Sequence, residues 1–267
     1  RRLRDFPAAI RSHREELETR RRLLAREPNS LPAKRNVSSA LDYLGNTLRE
    51  SKDLVGARSA FNEQLELDRA IAIADPNNVT SLTDLAWSLN RIGDLDRDAS
   101  KPNDAARYYE EALGIQRKLI ARDRDNLVRM RALASIVSKL GTVRARTSDY
   151  TTALTLHQEE LDLRRKLFQR AADDDNDVLR DLSLALDRVG NVLRDMSDYR
   201  GALKYFEEEL TMDRRFAARA PNNPTALTDL QWTLNKLSDF VRQRLGDRAA
   251  ARKYIEEMIG VDRRIVE

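Results

Sequence analysis

The sequence returns to the same short turn about every 48 residues, and that period limits the possible folds more than any composition does. "EPNS" ends at Ser30, "DPNN" at Asn78, "DRDN" at Asn126, "DDDN" at Asn176 and "PNN" at Asn223, giving spacings of 48, 48, 50 and 47. An apolar–glycine pair keeps step: Leu44-Gly45, Ile92-Gly93, Leu140-Gly141 and Val189-Gly190, then Leu237-Ser238. The segments "LTDLAWSLN" (Leu82 to Asn90) and "LTDLQWTLN" (Leu227 to Asn235) hold the only two tryptophans and lie 145 residues, or three periods, apart. A chain built this way is a row of small units that bury their apolar faces against one another.

Each unit carries two stripes with helical spacing. In the fourth, Leu182, Leu186, Val189 and Leu193 recur at intervals of three and four, so one face is apolar. After the break at "SDY", Ala202, Phe206, Leu210 and Met212 begin a second stripe. A helical glycine costs about 1 kcal/mol relative to alanine. Four of them in register predict a close approach of the partner helix there. Gly and Pro together number only 16, which favours helices over turn-rich sheets. The expectation is an all-α solenoid of about eleven helices in stacked antiparallel pairs. It comprises a partial repeat at 1–30 and repeats at 31–78, 79–126, 127–176, 177–223 and 224–267, read as one array over 1–267.

These residues resemble tetratricopeptide repeats. "VGNVLRDMSDYRGALKYFEEEL" (Val189 to Leu210) has that family's core spacing, and "LGNTLRESKDLVGARSAFNEQL" and "IGDLDRDASKPNDAARYYEEAL" follow it less closely. The usual unit is about 34 residues; here helix is expected to continue about seven residues further, to Pro28, Pro76 and Pro221. The resemblance implies a right-handed superhelix with a concave groove for a peptide or partner protein. Its long-unit relatives resemble kinesin light chains and bacterial multidomain proteins, in which the array is often the sensor arm of a caspase-like or TIR effector. It also implies an excerpt of a longer protein, with Arg1 to Arg4 as the last turn of a further helix.

Recurrence within the chain separates two kinds of column. Glu15, Glu63, Glu111, Glu159, Glu208 and Glu257 form one; Arg21, Arg69, Arg117, Arg165, Arg214 and Arg263 form another. Positions repeated in every unit are expected to serve stacking, as solvated stripes or ion pairs between repeats. The alternative is a basic ladder for an anionic polymer, a nucleic-acid reading. The column Leu48, Asp96, Arg144, Leu193, Val241 sets opposite charges in consecutive units, and Asp96 and Arg144 are expected to pair.

The first helices carry the candidate binding set, which in most units places an acid or amide on either side of the glycine position and an arginine three residues beyond. The residues are Asp42, Asn46 and Arg49; Asn90, Asp94 and Arg97; Asp187, Asn191 and Arg194; Asn235, Asp239 and Arg242. The third unit lapses to Ser138, Thr142 and Ala145. Spacings of four and three put each trio on one helix face. By the resemblance that face lines the groove, where amides that both donate and accept suit a peptide backbone. Trp87 and Trp232 lie three residues before Asn90 and Asn235, where other units have Ser39, Ser135 and Leu184. They are either anchors for a partner or fillers of the extra edge of long helices.

No catalytic constellation stands out, so no enzyme activity is expected. His13 and His157 fall in a column otherwise filled by Phe61, Tyr109, Phe206 and Ile255, which reads as packing. "DLDRD" (Asp94 to Asp98) and "DDDND" (Asp173 to Asp177) lack the glycine and closing glutamate of a calcium loop. No metal or cofactor is expected. The chain has no cysteine, no signal-peptide pattern and no apolar run near the ~18 residues of a membrane span. The net charge of +4, from 48 basic and 44 acidic residues, is small and interspersed. The expected partner is a protein or peptide, not nucleic acid or membrane, for a bacterial protein of the cytoplasm.

Overall fold

A computed structural model describes residues 5–171 and 175–266. Arg1 to Arg4, and part of the "DDDND" turn, lie outside the described residues. Among the described residues eleven α-helices follow one another: α1 (Phe6–Arg26), α2 (Leu31–Glu50), α3 (Leu54–Ala74), α4 (Val79–Asp98), α5 (Pro102–Arg122), α6 (Leu127–Arg146), α7 (Tyr150–Arg170), α8 (Asn176–Asp195), α9 (Tyr199–Arg219), α10 (Pro224–Phe240) and α11 (Arg248–Val266). A π-helical turn, Val241–Leu245, prolongs α10. The helices group into two compact units, residues 1–129 and 130–267, divided inside α6.

The recurring turns are helix caps. Ser30, Asn78 and Asn223 accept hydrogen bonds from the first amides of α2, α4 and α10, and Asn126 accepts from Arg129 N. Asp5, Asp53, Asp149 and Asp198 do the same for α1, α3, α7 and α9. Such caps satisfy amides that the helix itself leaves open. In the fourth unit the cap is Asp175, one residue before the Asn176 that the turn pattern marks.

Within the first unit α2 packs on α3, and α4 on α3 and α5; within the second, α8 packs on α7 and α9, and α10 on α9 and α11. The glycines sit where the helices of a pair come closest. A Cβ on Gly45 would lie 2.4 Å from the Phe61 ring, on Gly93 2.6 Å from Tyr109, on Gly141 2.7 Å from His157 and on Gly190 2.4 Å from Phe206. Phe61, Tyr109 and Phe206 are fully buried and His157 nearly so, which gives this histidine its packing role. The fifth unit has Ser238 in place of the glycine and Ile255 in place of the ring. Where no ring presses on the first helix, a side chain there is tolerated.

The two charged columns meet between neighbouring repeats. Arg21 bonds Glu63 at 2.6 Å and Arg69 bonds Glu111 at 2.7 Å in the first unit. In the second, Arg165 bonds Glu208 at 2.8 Å and Arg214 bonds Glu257 at 2.6 Å. Each pair is half exposed, so each contributes little alone. These four arginines are each held by a carboxylate of the following repeat, as expected of a stacking column. Asp96 is buried, and its carboxylate is held by Arg58 of α3, a partner that the columns do not reveal. Arg144, the expected partner, belongs to the second unit.

Candidate functional site

The duplicated tryptophan segments top two copies of one side-chain frame. In the first unit Arg35 of α2 donates to Asp84 Oδ2 of α4 at 3.0 Å; in the second, Arg180 of α8 donates to Asp229 Oδ2 of α10 at 2.6 Å. Ser38 donates to Asp68 Oδ1 at 2.6 Å, and Ser183 to Asp213 Oδ1 at 2.5 Å. Asp42 accepts from Arg91 Nε at 3.0 Å, and Asp187 from Lys236 Nζ at 2.5 Å. Every one of these positions recurs at an offset of 145. The first copy lines a pocket of about 130 Å³ and the second one of about 70 Å³.

Trp87 and Trp232 stand at the mouths of these pockets, 50% and 68% exposed. They are therefore not core fillers. The guanidinium of Arg91 lies 4.7 Å from the Trp87 ring centre, a cation–π contact.

The other residues expected on this face divide into two groups. Asp42 and Asp187 are tied to the next repeat as described. Asn46 donates to the carbonyl of Asp42 in its own helix at 2.7 Å. Asn90 and Asp94 are buried, and Asp94 accepts from the Tyr109 hydroxyl at 2.8 Å with Arg97 3.1 Å away and Arg49 3.9 Å away. Burial, and after it this carboxylate, pushes the Tyr109 phenol up. These residues join the scaffold to itself, because a polar group near a helix pair is most readily satisfied by the neighbouring helix.

The second group borders open space. Arg194, Trp232, Asn235 and Asp239 line a cleft of about 530 Å³ in the second unit, with Phe206 and Phe240 in its wall. Arg194 bonds Asp195, and Arg242 bonds Asp239, while Asn191 is half-buried. The cleft also takes Gln243 and Arg244 from the π-helical turn, which sequence reasoning missed. A signal existed: Val189-Gly190 precedes Leu237-Ser238 by 48 residues, but Phe206 precedes Ile255 by 49. One extra residue has been absorbed as a π-turn, a device common at functional sites.

Beneath the tryptophans lie buried carboxylates. In the second unit the Thr233 hydroxyl is 2.9 Å from Glu209 Oε1 and 2.6 Å from Asp213 Oδ2. A hydroxyl has one proton to give, so it serves one of these two carboxyls at a time. Burial raises both, against the pull of Lys236 on Glu209 and of Ser183 on Asp213. In the first unit burial pushes Asp68 up to about 6, although Ser38 donates to it and Ser88 lies near. The Ser88 hydroxyl itself donates to the carbonyl of Leu85 at 3.0 Å.

A stability effect follows for Asp68. Between about pH 4 and 6 the folded chain holds a proton that the unfolded chain has released, so this group's contribution falls as pH rises through that window. Asp68→Asn is therefore expected to stabilise the protein near pH 7.5 by about 2 kcal/mol and to change little near pH 4. Thermal melts at both values check this, and a loss of stability near pH 7.5 would contradict it.

Among the described residues there is no cluster of metal-ligating groups, and no helix is long and apolar enough to cross a membrane. Residues 85–123 match the tetratricopeptide repeat family profile. The fold is that of tetratricopeptide-like helical repeats. BtubC (BKLC) from P. vanneervenii is 18% identical, with 97% of this chain and 92% of that one covered at a TM-score of 0.71. The apo form of RapI is 12% identical, with 98% and 93% covered and a TM-score of 0.58. The nearly identical TPR-like repeats assigned to a Podosopora anserina kinesin light chain are 11% identical, with 81% and 95% covered and a TM-score of 0.53. No curated protein matches the sequence significantly.

Proposed function

We propose that this chain is a protein–protein interaction scaffold, each of whose two units holds partner polypeptide against its own tryptophan-bearing surface, Trp87 in the first and Trp232 in the second. The observation that carries this reading is the pair of exposed indoles on two copies of the same ion-paired frame. An exposed tryptophan beside a pocket is the kind of side chain that anchors interfaces, and folding does not demand it at this position, where other units have Ser39, Ser135 and Leu184. The cleft beside Trp232 adds an apolar wall with amide and guanidinium groups, which suits a peptide better than a small apolar ligand.

The test is affinity capture from the source lysate followed by mass spectrometry, with Trp87→Ala, Trp232→Ala and Asn235→Ala as comparisons. Each variant is expected to lose partners retained by the wild type while helicity and melting temperature stay close to the starting values. Each tryptophan change should weaken binding by at least 2 kcal/mol if it is an anchor. Unchanged capture by both tryptophan variants would refute the reading.

A further inference from the structure

The two frames differ in the cation at their centre. In the second unit Lys236 reaches inward. Its ammonium bonds Asp187 Oδ1 and Glu209 Oε2, each at 2.5 Å, and lies 4.4 Å from the Phe206 ring centre. In the first unit the equivalent residue is Arg91, which bonds Asp42 and then turns out onto Trp87. The equivalents of Glu209 and Asp213 are Gln64 and Asp68, only 4% and 1% exposed. Gln64 Oε1 and Asp68 Oδ2 have no hydrogen-bond partner among the described residues. Gln64 lines the 130 Å³ pocket, whose rim carries Trp87 and Tyr43, 50% and 56% exposed.

We propose that the first-unit pocket accepts a primary ammonium, the side chain of a lysine in a bound polypeptide, at the place Lys236 fills in the second unit. This deepens the peptide-binding reading and rests on it for the identity of the ligand's carrier. Several observations converge on that chemistry. Both open atoms are acceptors, and an ammonium brings three donors and no acceptor. Arg35 bonds Asp84 and Arg91 bonds Asp42, whereas Asp68 accepts from the neutral Ser38 hydroxyl, so its charge is matched by neither arginine. The exposed rings of Trp87 and Tyr43 offer apolar walls to a four-carbon stem, which lysine buries while its head seeks polar partners. A planar guanidinium fits less well, since the one already present, Arg91, lies outside against the indole.

The experiment uses n-butylammonium as the probe and the Trp232→Phe variant, in which the indole signal comes from Trp87 alone. Fluorescence is titrated at constant ionic strength, with 1-butanol and tetramethylammonium as controls. A saturable response to n-butylammonium alone is expected, weakened at least tenfold by Gln64→Leu and abolished by Gln64→Lys, which supplies the ammonium from within. The converse arm is Lys236→Ala, whose melting temperature n-butylammonium should raise more than that of the wild type. No saturable response, an equal response to 1-butanol, or an unchanged affinity in Gln64→Leu would overturn the proposal. The scaffold reading fails separately, if partner capture survives both tryptophan changes whatever the probe does.

Discussion

Gly190→Val is expected to destabilise the second unit by about 3 kcal/mol, an overpacking cost at the top of the usual range. The reason is geometric. A Cβ at this position would stand 2.4, 2.7 and 3.1 Å from three atoms of the Phe206 ring, and that ring is fully buried. The ring cannot swing away without opening a hole in the cluster it shares with Leu210, Leu230, Leu237 and Phe240. Phe206→Leu removes the obstacle, so the valine should cost much less in that background, and the double-mutant cycle should return a coupling of 1 kcal/mol or more. Gly114 is the control. A Cβ there meets nothing within 4 Å, and Gly114→Ala on the exposed face of α5 is expected to gain about 1 kcal/mol from helix propensity alone. Urea denaturation followed by circular dichroism measures all of these. Equal effects at Gly190 and Gly114 would show that propensity, not the ring, governs the glycine column.

The second large effect is expected at Asp96. Arg58→Leu should cost 3–5 kcal/mol, because it leaves a buried carboxylate without its counter-charge. Asp96→Leu with Arg58→Leu together should cost far less, since an apolar pair of similar volume carries no desolvation penalty. In the corresponding column Leu48 and Val241 are buried apolar residues, so the site tolerates leucine. If Arg58→Leu is as mild as the double change, the stabilising partner of Asp96 is another group.

These two sites also mark how far the sequence could be read. The glycine column announced a close approach because its cost had to be offset, and the rings at Phe61, Tyr109, His157 and Phe206 are what approaches. The turns were equally legible from their period, and the structure adds that their Asn, Asp and Ser side chains cap the following helices. The partner of Asp96 was not, since the column compares equivalent helices and Arg58 comes from the helix between them. The exposure of Trp87 and Trp232 was hidden for a similar reason: periodicity assigns a face and does not say where that face ends. Of the expected binding residues, Asn90 and Asp94 are buried, and Asp94 is met there by the Tyr109 hydroxyl. The unpartnered acceptors of Gln64 and Asp68 could be found only by comparing one frame with its copy in three dimensions.

The arginine–glutamate rungs have a direction. Arg21, Arg69, Arg165 and Arg214 each reach forward by 42 or 43 residues to the glutamate of the following repeat. Such a joint is the same at each of these four seams, so within a unit one repeat could follow another through it. The tryptophan frames are different: Arg35 with Asp84 and Arg180 with Asp229 occur only in matched neighbours. The array therefore has interchangeable joints on one set of helices and keyed joints on the other. Exchanging whole repeats within a unit should therefore keep the arginine–glutamate joints while breaking the Arg35–Asp84 and Arg180–Asp229 pairs, so that assembly and the tryptophan frames are set by separate contacts.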